Sequence, residues 1–403
     1  MARHALGWLV AANAVGVLLA ALLLWPGLNE LLTPLTYGRW VPLHLDWQLY
    51  GWCALPLVGV LLAWCIDARH PQAVMHARVA LGAWSLALML GGISWLGGVT
   101  SGKLFLEWHG WARPLLPVAM VLLWSVLAAH TWWRRNELGR AGVAARVVAL
   151  LALVIVPAAL HVSSEREFYP SVNPDSGGAT GARLLASTLG IVGIYGFIAE
   201  TLGVGRRGSR IWYWGYFLFS AIVCVGIEHG NASHHEQAQV IGLATLLGWL
   251  PLSVIYFRGG SGVPVARRWW GAAFVWWVAL VGSGLWTFLP GISERLKFTN
   301  GMVGHAHLAM AGLVTSANLA VAVELRVFRT EPNFWLWQVA CAVHVVALLA
   351  LGWMEAGRAA DLFLAAPWTE AIYAVRLATG AAMLLASMQW CRALLVKKNS
   401  VQP

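Results

Sequence analysis

The feature that most constrains this chain is a succession of apolar runs, each near 20 residues long, separated by short stretches rich in Arg, Pro and Gly. A helix needs about 20 apolar residues to cross a bilayer, and inside the hydrocarbon every backbone N–H and C=O must be satisfied by the chain itself. Runs of this length point to one fold class, an all-α polytopic membrane protein. Twelve spans are expected, near 6–25, 46–66, 77–98, 114–133, 144–161, 182–201, 211–228, 238–257, 270–290, 301–323, 334–353 and 368–390. They occupy most of the sequence, so residues 1–403 are expected to form a single transmembrane domain with no sizeable soluble part. Composition agrees, with 59% hydrophobic residues, 11% charged and 26 tryptophans.

A formal net charge of +10 is compatible with a nucleic-acid partner, but its distribution argues against one. With the N-terminus in the cytoplasm, the inner loops and ends hold 18 of the 27 basic residues: Arg3, Arg69, Arg78, Arg134, Arg135, Arg140, Arg146, Arg206, Arg207, Arg210, Arg258, Arg267, Arg268, Arg326, Arg329, Arg392, Lys397 and Lys398. The outer side keeps Arg39, Lys103, Arg113, Arg166, Arg183, Arg295, Lys297, Arg358 and Arg376. This is the positive-inside asymmetry, and it places both termini in the cytoplasm. The partner implied is a lipid bilayer, with no nucleic acid. The first apolar run lacks a small-x-small cleavage site and reads as a retained helix. The five cysteines lie in or beside apolar runs without CxxC or CxxCH spacing, so they form no disulfide framework and attach no c-type heme. Any covalent heme is expected on a partner.

The stretch Phe298 to Met310 puts His305 and His307 two residues apart inside a span. At roughly 100° per residue, positions i and i+2 of a helix point to nearly opposite sides, so the two rings cannot serve one metal but can serve two. Imidazole at bilayer depth is uncommon and often functional, and it is a standard axial ligand of heme iron. The competing reading is a pair of packing histidines bonded to neighbours. His44, at the outer end of the second span, is expected at the same depth.

Tyr37-Gly38-Arg39-x-x-Pro42-Leu43-His44 together with Phe298-Thr299-Asn300-x-x-x-Gly304-His305-x-His307 resembles subunit I of the heme-copper oxidase superfamily, most of all the cbb-type cytochrome c oxidases and the nitric oxide reductase large subunit. The resemblance implies a twelve-helix bundle in the bacterial cytoplasmic (inner) membrane. It makes His44 and His307 the axial ligands of a low-spin heme b, and His305 the proximal ligand of a high-spin heme b. It also implies electrons from a c-type cytochrome subunit or soluble cytochrome c, passed to a small gas substrate. Two opposed histidines close an iron to ligands, whereas one leaves a face open.

The chain departs from the family in spans six and seven. Span six has no histidine, Thr180 standing nearest the missing copper ligand, and the family's His-His pair is replaced by Glu228-His229. Tyr213 and Tyr216 lie near the other end of span seven, with Tyr216 about 20 Å from His229 along a helix. The segment Glu228 to Glu236 adds His234 and His235, and mixed imidazole and carboxylate donors suit non-heme iron better than copper. Glu228, His229, His234 and His235 are therefore the candidate ligands of a second metal, non-heme iron or else copper. The alternative is a degenerate site with a solvated loop.

Asp46, Glu107, Glu228 and Glu294 lie toward the outer half, and Glu200 and Glu324 at inner helix ends. A sparse inner half resembles the nitric oxide reductases, which take protons from outside. His70, His76 and His130 read as interfacial histidines at the cytoplasmic end, His109 and His161 as outer surface residues, and His344 as an isolated packing histidine. Glu294, Arg295 and Lys297 suit heme propionates or a solvated loop equally. The outer loop 162–181 reads as an ordered cap or a flexible loop. The expected function is reduction of nitric oxide to nitrous oxide, with His305, Glu228 and His229 catalytic. Oxygen reduction is one alternative, and a non-enzymatic heme protein for electron transfer or NO sensing is another.

Overall fold

The computed structural model describes residues 1–257, 263–328, 333–356 and 367–396; Arg258, Arg329, Arg358, Lys397 and Lys398 lie outside them. Apart from one isolated bridge, Val172 to Ala179, these residues form helices and loops. The long helices are α1 (Ala2–Leu24), α2 (Tyr37–Cys65), α3 (Ala73–Leu96), α4 (Leu115–Trp133), α5 (Arg135–Ser163) and α6 (Gly181–Leu202). They continue with α7 (Arg210–Gly226), α8 (Gln237–Phe257), α9 (Pro264–Phe288), α10 (Asn300–Glu324), α11 (Phe334–Ala356) and α12 (Pro367–Val396). Among the described residues, eleven helices are long and apolar enough to cross a membrane. The expected seventh span is α7, which has 17 residues and stops at Gly226, where Ile227 turns extended. At 1.5 Å per residue that is about 25 Å, a little short of the hydrocarbon core.

The chain divides into two compact units, Met1–Tyr169 with α1 to α5 and Pro170–Pro403 with α6 to α12. In the first unit α2 widens into a π-helix over Trp47–Cys53 and resumes at Leu55–Cys65, with Pro56 in the resumed first turn. Proline offers no N–H to the carbonyl four residues back and its ring crowds that carbonyl, so a wider turn carries the chain past it. The carbonyl of Tyr50, inside the π stretch, accepts from Trp84 Nε1 of α3 at 2.9 Å, and Trp47 Nε1 donates to Leu88 O at 3.0 Å. In the second unit α10 widens over Leu308–Val314. Here the cause is packing, because the Trp276 ring of α9 lies so close that a Cβ on Gly312 would sit 2.6 Å from it. The carbonyls of Ala311 and Met310 accept from Trp337 Nε1 at 3.0 Å and Thr315 Oγ1 at 2.9 Å.

Helix α10 is placed by its first turn. Thr299 caps it, and Glu355 of α11 accepts from both the backbone N–H and the side-chain amide of Asn300, each at 2.7 Å. A carboxylate on the first orphan N–H of a helix also complements its dipole. Just beyond, the backbones of α10 and α11 touch through glycine: a Cβ on Gly352 would lie 1.9 Å from Gly301 N, and one on Gly304 would lie 3.1 Å from Leu348. Small residues permit this approach, which in lipid supplies the dispersion contacts that hold helices together. Gly352→Ala is therefore expected to force the two helices apart and cost about 1–3 kcal/mol. Gly271→Ala, where a Cβ meets nothing within 4 Å, should leave stability unchanged or slightly raised. Thermal unfolding of the two variants in the same detergent checks this.

Candidate functional site

In the first unit, His44 stands on the first α-helical part of α2 with its ring against α1. Its Nδ1 is 2.8 Å from Ala12 O, and Gly16 makes room for the ring, since a Cβ there would lie 2.7 Å from His44 Cε1. A carbonyl only accepts, so Nδ1 carries the proton and the lone pair is on Nε2.

In the second unit, His305 and His307 turn to different neighbours. His305 Nδ1 is 3.0 Å from Ser283 Oγ of α9. The Ser283 hydroxyl donates to Leu280 O, which leaves its oxygen to accept Nδ1–H and puts the lone pair of His305 on Nε2. His307 Nδ1 is 2.8 Å from Val303 O on its own helix, which fixes the same tautomer. Its ring lies against His344 of α11, centroids 4.7 Å apart. His344 is thus not the isolated packing residue expected from its place in the sequence: it touches His307 and bonds Thr379 Oγ1 of α12 at 2.9 Å. All three candidate heme ligands hold Nδ1 against a carbonyl or hydroxyl, the arrangement that orients imidazole for coordination through Nε2. The donor set fits heme iron.

The loops before α6, before α8 and before α10 form a second cluster. Ligand atoms of Asp175, His234 and His235 lie within 4.8 Å of one another. His234 is fully buried and satisfied on both nitrogens. Asn173 Oδ1 accepts from Asp175 N, so its amide nitrogen donates to His234 Nδ1, and His234 Nε2 donates to Glu294 Oε1 at 2.9 Å. His235 Nε2 is 3.7 Å from the same oxygen. Burial pushes the Glu294 carboxyl up, but backbone N–H bonds and the His234 contact outweigh it, so it titrates below the ordinary carboxylate value. Burial also holds Lys297 below the usual lysine range.

Glu228 and His229 are exposed and belong to neither of the metal-capable groups found among the described residues. His229 Nε2 donates back to Cys224 O at 2.8 Å, and Glu228 O accepts from Gln239. Thr180 is the buried N-cap of α6. The hydroxyls of Tyr213 and Tyr216 are bonded to Val192 O and Thr245 O. Asp175 joins His234 and His235 from about 60 positions away in sequence, and only the "Asn-Pro-Asp" turn chemistry of its loop hinted at order there. The other group, His70, His76 and His130, lies in the first unit.

The first unit also buries two of the expected outer carboxyls, Asp46 and Glu107. Glu107 Oε2 accepts from Gly102 N at 3.0 Å, and burial raises its carboxyl above the ordinary value near 4.5. No model of a known protein family matches this chain, and no curated protein matches it.

The Glu107 shift has a definite sign. A raised carboxyl means that the folded state holds its proton more tightly than the unfolded chain, so its contribution is complete below about pH 4.5 and is lost as pH rises through the folded value. Thermal unfolding across pH 4 to 8 should show this loss, and Glu107→Gln should flatten it.

Proposed function

We propose that this chain is the heme-bearing subunit of a respiratory terminal reductase, a twelve-helix relative of heme-copper oxidase subunit I, and that it reduces nitric oxide to nitrous oxide. The observation that carries the reading is the pair on α10: His305 faces α9 and His307 faces α11, each with Nδ1 engaged and its lone pair on Nε2. That is what two separate irons require of one helix. On this reading His307, and by the family resemblance His44, would serve a low-spin heme b for electron transfer, and His305 would hold a high-spin heme b that takes the diatomic gas. The hemes would supply electron storage and the gas-binding iron.

The chain's own residues do the rest. Ser283 orients His305, and Val303 and Ala12 carbonyls orient His307 and His44. Two NO molecules, two electrons and two protons give N2O and water. Buried Asp46 and Glu107 are placed to hold protons in the half that the charge asymmetry assigns to the outside. Nitric oxide is favoured over oxygen because the three-histidine copper set and the helix-seven tyrosine of the oxidases have no counterpart at the matching positions. A non-heme iron, or copper, would take its ligands from Glu228, His229, His234 and His235, now with Asp175. The electron donor would be a c-type cytochrome, and the setting the bacterial cytoplasmic membrane.

One observation favours a second reading. Glu228 and His229 stand apart from the His234 cluster, and if no second metal is held the protein is a heme carrier of electrons or an NO sensor. Elemental analysis beside a pyridine hemochrome assay separates these outcomes: two b hemes and a further iron are expected for the reductase. His305→Ala should remove the high-spin heme and leave the low-spin spectrum, while His307→Ala and His44→Ala should each remove the low-spin heme. Purified protein without heme, or His305→Ala retaining both, would refute the proposal.

A further inference from the structure

In the first unit, three histidines that the sequence scatters over 60 positions meet at one end of the helices. His70 lies in the loop between α2 and α3, His76 in the first turn of α3, and His130 in the last turn of α4. One ligand nitrogen from each lies within 4.8 Å of the other two. The ring centroids are 5.3 Å apart for His70 with His130, 5.3 Å for His76 with His130, and 5.7 Å for His70 with His76. Three imidazoles on one tetrahedral ion, with nitrogens about 2.0–2.1 Å from it, place their centroids about 5 Å apart and their nitrogens about 3.3 Å apart. His76 Nδ1 and His130 Nε2 are 3.1 Å apart. The His76–His130 separation matches a shared ion, which would replace the hydrogen bond between these two nitrogens and draw the His70 ring in from within 4.8 Å.

The surroundings hold the rings in place. His130 is fully buried, and its other nitrogen, Nδ1, is buried without a hydrogen-bond partner. Trp133 stacks on His70 with centroids 4.6 Å apart and planes 3° from parallel, and it meets His130 edge-on at 4.9 Å. The nearby cations are engaged elsewhere: Arg134 points its guanidinium at the carbonyls of Trp64, Cys65 and Ile66, and Arg69 pairs with Asp67 and Glu137.

We propose that His70, His76 and His130 form a binding site for a late first-row divalent cation, Zn2+ or a like ion, with water in the fourth position. Three neutral imidazoles select such ions over Mg2+ and Ca2+, which prefer oxygen. The bound ion ties the α2–α3 loop to the end of α4. This site shares no residue with the proposed reductase and stands or falls separately from it.

The test is a Zn2+ titration of the purified full chain, stripped by chelator, against a chromogenic competitor. His235→Ala is the background, so that the Asp175 cluster does not contribute. One equivalent should bind, and His76→Ala should weaken it roughly 100-fold or more. Zinc-edge X-ray absorption of the one-equivalent complex should show three imidazole nitrogens at about 2.0–2.1 Å. His70→Gln, in a partly exposed loop, gives a second variant if His76→Ala does not fold. Binding weaker than about 10 µM, binding indifferent to both variants, or a spectrum with fewer than two imidazoles overturns the proposal.

Discussion

The arrangement of the second unit depends on one close approach of backbones. In lipid the apolar effect gives helices no reason to prefer each other over acyl chains, so association rests on dispersion and hydrogen bonds that only intimate contact provides. Gly301 and Gly352 allow that contact, and Glu355, three residues beyond Gly352, clamps Asn300 at the start of α10. Together they set the rotation of α10 against α11 within its first turn. His305 and His307 follow one and two turns later, so the helix each faces is already decided. A slip of one residue would rotate both by about 100° and undo the arrangement.

A related device appears in each unit. The helix that carries the candidate ligand begins seven residues before His44 in one case and seven before His307 in the other. A π stretch then opens three residues after His44 and three after His305. Widening frees carbonyls that lipid cannot satisfy, and the next helix in sequence supplies an indole N–H, Trp84 to Tyr50 O and Trp337 to Ala311 O. Tryptophan suits this role because it brings a donor on an apolar body. π-Helical turns concentrate at functional sites, and these two adjoin the histidines that the sequence singled out.

What the sequence made legible follows from how far its rules reach. Apolar runs of bilayer length located the spans, and helical periodicity separated His305 from His307, because both are properties of one helix. Which neighbour comes to face a residue is not such a property. His344 reads as solitary in α11 until α10 brings His307 to it, and His70, His76 and His130 read as three interfacial residues until α3 and α4 align their ends. Glu228 and His229 stood out as ligands because they replace the His-His pair of the family that the sequence resembles. Yet the helix ends at Gly226, before either residue, and both side chains are exposed. Asp175, far off in sequence, takes the place beside His234 and His235.

The hydrogen bonds also rank the histidines as ligands. His44, His305 and His307 spend Nδ1–H on an oxygen of the protein, so coordination through Nε2 requires no change of tautomer. His234 is set the other way, with Nδ1 accepting from Asn173 and Nε2 donating to Glu294. An ion there must displace one of two buried hydrogen bonds, and a buried group that loses its partner costs about 1–3 kcal/mol. Exposed His235 and Asp175 carry no such burden and would dominate binding at that loop. The Nδ1 bonds of His44, His305 and His307 are thus compatible with coordination through Nε2, whereas a metal at the loop has to compete with the bonds of His234.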